Sequence, residues 1–331
     1  MTIVSGGAMT TAFPVDAAFL SQVMARHGDD TKALLQLGMR LLTGDQAPHS
    51  PVNGAAVIAV AAGHNDAQAW RLMAGFAAQG LAQQQSWGNA CAALERAATL
   101  GDQLARQQQQ LLRTLHLDTE QSIEDWLVCA DAEVFHAAPR MLVFRNFLPA
   151  VLCEYLIRAA QPRLVRADVY DVATGVTKID PMRTNRRAPH SVADIDLVVQ
   201  LIRARLAGAA GVAVEMLESP EVLHYEVGQQ YRLHVDYFHV ASPRLAKHVQ
   251  IHGQRVKTAL VYLNDNYVGG ETAFPRLGVS FRGGAGDALI FDNVDAQGGG
   301  DLNTAHQGSA PTQGEKWLLS QWIRDKSRPF S

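Results

Sequence analysis

One change of texture constrains this chain more than any other feature. Up to about residue 135 it is rich in Ala, Leu and Gln and helical in period. From Met141 onward short apolar runs alternate with Gly turns. A chain of 331 residues rarely builds a single core. The shift therefore predicts a helical domain over 15–135, after a small Gly-rich N-terminus (1–14) expected to be disordered, and a β-rich domain over 136–331. The linker is expected near Phe135 to Arg140, where Pro139 ends the helical composition.

The helical half repeats itself. DTKALLQLGMRLLTG (30–44) and DAQAWRLMAGFAAQG (66–80) align at one offset of 36, placing Asp30 on Asp66, Ala33 on Ala69, Leu37 on Met73 and Gly44 on Gly80. Helix–Gly-turn–helix units at such a period are the mark of a helical solenoid. The pattern resembles degenerate Sel1-like tetratricopeptide repeats, about two and a half units between residues 30 and 115. Such an array offers a concave surface for a protein or peptide partner. It serves equally as a cap that packs on the second domain.

Composition narrows the function classes. A net charge of −3 speaks against nucleic acid or anionic lipid as the main partner. Cys91, Cys129 and Cys153 are odd in number, widely spaced and free of CxxC pairing, so they read as reduced thiols and not as a disulfide framework. The first 20 residues lack a basic n-region and a continuous apolar run, and no stretch of roughly 18 apolar residues would span a bilayer. The expectation is a cytoplasmic protein with no membrane partner.

In the second half, MLVFRNF reads as a strand, LPAVLCEYLIRAA as an amphipathic helix with Pro149 near its first turn, and SVADIDLVVQLIRARLAG as a helix capped by Ser191 or Asp194. Past Pro220 the pattern is short strands at 221–227, 231–236, 256–263, 271–274, 279–281, 287–291, 305–309 and 316–323. Helices followed by about eight short strands fit a double-stranded β-helix, or jelly roll. The fold class is thus α+β and multidomain.

Within that pattern, VLHYEVGQQYRLHVD (222–236) places His234 and Asp236 two apart on a strand, and therefore on one face. An imidazole and a carboxylate converging on one point are two ligands of a 2-His-1-carboxylate triad, which leaves positions open for non-haem Fe(II) chemistry. His-any-Asp also occurs at His27/Asp29, His64/Asp66 and His116/Asp118. Those lie in the helical half, where i and i+2 diverge, and read as turn or cap residues. His306, opening a penultimate strand after a Gly-rich loop, is the expected third ligand, facing His234 across the barrel. Lys316 would reach inward to pair with a carboxylate of a co-substrate. His224, His239, His248 and His252 read as structural.

YEVGQQYRLHVDYF (225–238), RVKTALVYLNDNYVGGETAFPRLG (255–278) and GDALIFDNVDAQGGGDLNTAHQGSAPTQGEKWLLSQWI (286–323) together resemble the blocks of prolyl 4-hydroxylase-type Fe(II)/2-oxoglutarate dioxygenases. The resemblance spans roughly 140–325. It implies His234, Asp236 and His306 as ligands of Fe(2+), with Lys316 on the distal carboxylate of 2-oxoglutarate. Tyr225, Thr258 and Trp322 match positions that line or hydrogen-bond the co-substrate pocket, although Tyr225 and Trp322 also suit barrel core and Thr258 a plain strand position. Tyr231 falls on the substrate side. Arg324 stands where members acting on peptidyl proline often carry His. The implied reaction consumes O2 and 2-oxoglutarate, yields succinate and carbon dioxide, hydroxylates an unactivated C–H of a peptidyl proline, and depends on L-ascorbate. Hydroxylation of a free amino acid or other small molecule is the alternative enzyme. A helical-repeat scaffold with a vestigial oxygenase domain is the alternative outside catalysis.

Overall fold

A computed structural model describes residues 15–129, 131–170, 177–240 and 243–327. The expectation for residues 1–14 lies outside them. The chain divides into two compact units: one holds residues up to Val128 together with Ser191–Ala204, the other holds Cys129–His190 together with the chain from Arg205 onward.

The helical unit is ordered by its caps. Asp30, Asp66 and Asp102, each 36 residues from the next, N-cap the helices Thr31–Thr43, Ala67–Gln79 and Gln103–Thr114, each carboxylate accepting the amide three residues on. The matching turns close at Gly44 and Gly80, both with φ 74°, and at His116 with φ 55°. Glycine at the first two sites satisfies a left-handed cap without a Cβ penalty. His116 accepts the same geometry with its Cβ in place. Intervening helices Pro51–Gly63 and Trp87–Thr99 start after Ser50 and Ser86, again 36 apart. Small residues let the helices meet closely: a Cβ on Gly38 would stand 2.5 Å from Ile58, and one on Gly54 would stand 2.8 Å from the Gly38 carbonyl. Leu34, Leu42, Val57, Ile58, Ala69 and Phe76 fill the core between them.

Asp102 does more than cap. It also accepts the Arg71 guanidinium at 3.1 Å from the preceding repeat, both side chains largely buried. Asp30 only caps. Asp102→Ala should therefore destabilise the helical unit by about 2–3 kcal/mol, against about 1 kcal/mol for Asp30→Ala. Urea denaturation followed by helical circular dichroism gives the comparison; equal losses would show that the Arg71 pair contributes nothing.

The segment Ser191–Ala204 groups with these helices although it lies far along the chain. Gln79 Nε2 donates to the Ile195 carbonyl at 2.8 Å and Gln108 Nε2 to Asp196 Oδ2 at 2.9 Å. A Cβ on Gly75 would lie 2.8 Å from that same carbonyl, so only glycine permits the approach. The cap of this helix also differs from the sequence expectation. Ser191 and Asp194 close a capping box on a short 3-10 turn, Val192–Asp194, and the α-helix proper, Leu197–Ala210, is capped by Asp196, whose Oδ1 accepts the Val199 amide.

The second unit is a two-layer jelly roll. Its larger sheet runs Glu133–His136, Met141–Phe144, Ala288–Asp292, Arg255–Tyr262, Lys316–Arg324, Glu221–Tyr225, Arg186–Pro189 and Val165–Arg166, each pair antiparallel. The smaller runs Val279–Phe281, Thr272–Phe274, His306–Gly308 and Tyr231–His234. Met141, Leu223, Leu260, Leu289, Phe291 and Leu318 from the first pack on Phe274 and Phe281 from the second. One expectation fails here. The stretch around Phe135 to Arg140 is not a linker: Glu133–His136 pairs with Met141–Phe144 as a hairpin, with Pro139 in its turn. Between the strands after Pro220, the stretch that the strand pattern left unassigned holds a helix, Pro243–His252, which buries Leu245.

Candidate active site

The smaller sheet supplies the imidazoles. Tyr231–His234 and His306–Gly308 are neighbouring antiparallel strands, with His234 the direct register partner of His306. The third ligand candidate thus stands beside His234 in one sheet, and the expectation that it faces His234 across the barrel is corrected. The first strand also ends sooner than expected: it stops at His234, and Asp236 follows in a bend. Its polarity is inverted, since Leu233 is exposed while Asp236 is buried. Burying a carboxylate is costly unless it is paired or hydrogen-bonded.

His234, Asp236 and His306 each offer a ligand atom, all within 4.8 Å of one another. His234 Nε2 lies 3.6 Å from Asp236 Oδ1 and His306 Nε2 lies 3.7 Å from Asp236 Oδ2. Each imidazole is fixed from behind, His234 Nδ1 at 2.8 Å from the Arg232 carbonyl and His306 Nδ1 at 3.0 Å from the Thr304 carbonyl. A carbonyl can only accept, so Nδ1 carries the proton and Nε2 presents its lone pair to the centre. Burial, and then the neighbouring His306, lower the His234 imidazole to about 3, which keeps it neutral and able to ligate. Burial alone would raise the Asp236 carboxyl, but its polar surroundings, the hydrogen bond from the Thr258 hydroxyl among them, outweigh it and lower the group. Two neutral imidazoles and one carboxylate on one side of a pocket suit Fe(II) with positions left open.

The larger sheet supplies the opposite wall. Lys316 pairs in register with Tyr225, and Trp322 with Thr258. A narrow cavity of about 30 Å³ lies between the sheets, lined by the triad and by Tyr225, Tyr231, Lys316 and Trp322 among others. Lys316 is fully buried, its Nζ donating to the Gly270 carbonyl at 2.6 Å and standing 5.3 Å and 5.5 Å from the Tyr225 and Tyr262 rings. Burial pushes the ammonium down to about 7, against the opposing pull of Glu271. One carbonyl does not satisfy three donors, so a carboxylate entering this pocket meets a cation already aimed at it.

Thr258, Trp322 and Arg324 meet their expectations unequally. Thr258 does not line the pocket; its Oγ1 donates to Asp236 Oδ2 at 2.6 Å and so holds the carboxylate. Trp322 does line it, with the Arg255 guanidinium 3.8 Å above its ring and its indole N–H buried without an acceptor among the described residues. Arg324 is not on the substrate side. It is buried, with Nε on Glu218 Oε1 at 2.7 Å and Nη1 on the Gly253 carbonyl at 2.7 Å. Arg255 binds the same Glu218 at 2.7 and 2.9 Å. Burial would raise that carboxyl, but the two guanidiniums pull it down to about 2.

Tyr231 stacks on His234 with ring centroids 3.5 Å apart, and Arg183 lies 4.7 Å over its other face. Both line an open groove of about 380 Å³ that adjoins the pocket and continues past Tyr237, Phe238, Leu245 and Arg255. Sequence reasoning missed Arg183, Arg255 and Thr272, the last of which lines the pocket with its hydroxyl 2.7 Å from that of Tyr262. The first sits in a cluster with Arg186 and Arg187 just ahead of a strand, which is the one signal that pointed to it. His224 and His248 are structural as expected, the first on Glu315 and Trp317, the second on Arg324 and Phe238.

A jelly roll with a buried His-Asp-His centre and a buried lysine defines an Fe(II)/2-oxoglutarate oxygenase. Comparison with known proteins agrees. Residues 220–324 match the family model of the 2OG-Fe(II) oxygenase superfamily. Prolyl 4-hydroxylase 5 of Arabidopsis thaliana is 33% identical over 229 residues, covering 62% of this chain and 74% of that protein. Prolyl 4-hydroxylase 1 of the same plant is 34% identical over 209 residues, covering 59% and 72%. Among solved structures, a viral collagen prolyl hydroxylase from Paramecium Bursaria Chlorella virus-1 is 25% identical, with a TM-score of 0.42, over 56% of this chain and 95% of that one. The chain belongs to the prolyl 4-hydroxylase family of 2OG-Fe(II) oxygenases. It is a 2-oxoglutarate-dependent dioxygenase that uses Fe(2+), 2-oxoglutarate and O2, with the L-ascorbate typical of the family. None of its described helices is long and apolar enough to cross a membrane.

Proposed function

We propose that the protein hydroxylates a prolyl residue within a peptide chain, with His234, Asp236 and His306 holding the iron and Lys316 binding the distal carboxylate of 2-oxoglutarate. The carrying observation is the convergence of the three ligand atoms and the buried ammonium on one pocket that opens into a long groove. The relatives are prolyl 4-hydroxylases by name, which supports the choice of proline. When bound, the iron with its co-substrate supplies oxidation of an unactivated C–H, coupled to decarboxylation of 2-oxoglutarate to succinate. The chain's own groups do the rest. The Arg232 and Thr304 carbonyls orient the imidazoles, Thr258 orients the carboxylate, and Lys316 fixes the co-substrate by charge. Leu223, Leu260 and Leu318 wall the pocket with apolar surface that excludes water. Tyr231 and Trp322 border both pocket and groove, where they would set the approach of the substrate ring.

The groove favours a peptide over a free amino acid. Its volume exceeds what one residue fills, and Tyr231, Tyr237, Phe238 and Trp322 give it the aromatic lining that suits extended proline-containing segments. The test sets free proline against a series of proline-containing peptides, scored by succinate release and by product mass. The proposal expects a gain of one oxygen on a prolyl residue, in step with succinate, and no product from free proline. Product from free proline alone would move the chain to the small-molecule reading.

A further inference from the structure

Asn293 is fully buried at the end of the Ala288–Asp292 strand, and it is not a metal ligand. Its Nδ2 donates to Thr258 Oγ1 at 2.9 Å, and that hydroxyl donates to Asp236 Oδ2 at 2.6 Å. The direction of this relay is fixed. A threonine hydroxyl has one proton, and an ionised carboxylate can only accept it. Turning the amide over would set its oxygen against Thr258 and force two acceptors to compete for that proton. The orientation that serves Asp236 leaves Asn293 Oδ1 buried with no partner among the described residues. A leucine would fill similar space without that cost, so the amide is retained for something other than packing.

The backbone of Asn293 reaches the other side of the site. Its N–H donates to the Val256 carbonyl at 2.8 Å, and its carbonyl accepts the Asp301 amide at 3.0 Å. The Asp301 carbonyl in turn accepts the Thr304 amide at 3.0 Å and the Thr304 hydroxyl at 2.7 Å. The Thr304 carbonyl is the group that fixes His306 Nδ1.

We propose that Asn293 is a positioning residue for the metal centre, committing Asp236 Oδ2 through Thr258 and bracing, through its backbone, the turn that aims His306. With Oδ2 engaged, Asp236 presents one oxygen to the metal. One-oxygen ligation keeps an additional coordination position open for the co-substrate and dioxygen. The inference rests on the reading of His234, Asp236 and His306 as ligands.

The test uses the full chain, stripped of metal and titrated anaerobically with Co(II) and Mn(II), with affinity and the Co(II) absorption spectrum as readouts. Outer-shell losses of this kind weaken metal binding about 10–100-fold, the range expected for Thr258→Val and Asn293→Leu. Thr258→Ser keeps the hydroxyl and should restore wild-type affinity. Because the two residues act in series, the double variant should bind no more weakly than Thr258→Val alone. Loss of one-oxygen ligation should also alter the Co(II) spectrum of both single variants. If Asn293→Leu does not fold, Asn293→Ala, which leaves no donor on the side chain, should show the same weakening. A purely structural Asn293 would lower the Tm of the metal-free protein while leaving affinity and spectrum as in wild type. That result, or additive losses in the double variant, overturns the proposal. His306→Ala is the control: if it binds metal as tightly as wild type, the ligand reading itself has failed.

Discussion

Asp236→Ala should reduce 2-oxoglutarate turnover to the background of the metal-free protein, and His306→Ala should do the same. Three protein ligands are the minimum for a centre of this kind, and the two candidates provide the sole carboxylate and one of two imidazoles. Asp236 lies 3.6 Å and 3.7 Å from the two Nε2 atoms and is held in place by the Thr258 hydroxyl. Succinate release measured at saturating iron and 2-oxoglutarate, with Tm to confirm folding, checks the prediction. Turnover retained in His306→Ala but lost on altering another histidine would move the third ligand elsewhere.

Lys316→Met should do two opposite things. The half-saturating 2-oxoglutarate concentration should rise about ten- to a hundredfold, because a charge-assisted hydrogen bond contributes roughly 1.5–3 kcal/mol. The metal-free fold should become more stable, because a buried ammonium is replaced by a side chain that needs no solvation. In the unfolded chain the amine keeps its proton to about pH 10, whereas in the fold it releases it near 7. Between those values unfolding takes up a proton, so wild-type stability rises with pH across that window. At or below pH 7 the full penalty applies, and the variant should gain about 3–5 kcal/mol, shrinking toward zero near pH 10. Binding has the reverse dependence. The dicarboxylate needs the ammonium, so wild-type affinity should be level below pH 7 and fall above it, while the variant shows no such fall. Lys316→Arg keeps the charge on a longer, forked group and should be intermediate at best. Unchanged 2-oxoglutarate dependence in Lys316→Met would remove Lys316 from the site.

Much of this architecture was legible in the residues. Gly turns and apolar runs marked eight of the ten described strands from Glu221 to Arg324 to within a residue or two, because runs such as Glu221–Tyr225 and Ala288–Asp292 are buried almost throughout, whereas the short pair Val268–Gly269 and Pro311–Gln313 carries no such run and went unmarked. Asp30 and Gly44 announced the caps that Asp66 and Gly80 repeat. What escaped notice depended on tertiary partners. HVQIH alternates like a strand, yet Pro243–His252 is a helix that buries Leu245 beneath it. Pro139 looked like a boundary and is a hairpin turn. The triad's residues could be named from sequence, but their support could not. Thr258 meets Asp236, and Asn293 meets Thr258, only through the register of strands 22 and 35 residues apart. Arg324 was misplaced for the same reason: Glu218, its partner, lies 106 residues earlier in the chain and carries no local signal.

The central claim is that His234, Asp236, His306 and Lys316 form one 2-oxoglutarate–iron site. Anaerobic titration of 2-oxoglutarate into the Fe(II)-loaded protein tests it most directly. Chelation of the metal by the keto acid should produce a visible charge-transfer absorption that saturates at one equivalent. The band should be missing in Asp236→Ala and His306→Ala, and it should require about ten- to a hundredfold more 2-oxoglutarate in Lys316→Met. A wild-type protein that develops no band, or a band indifferent to all three substitutions, would contradict the account.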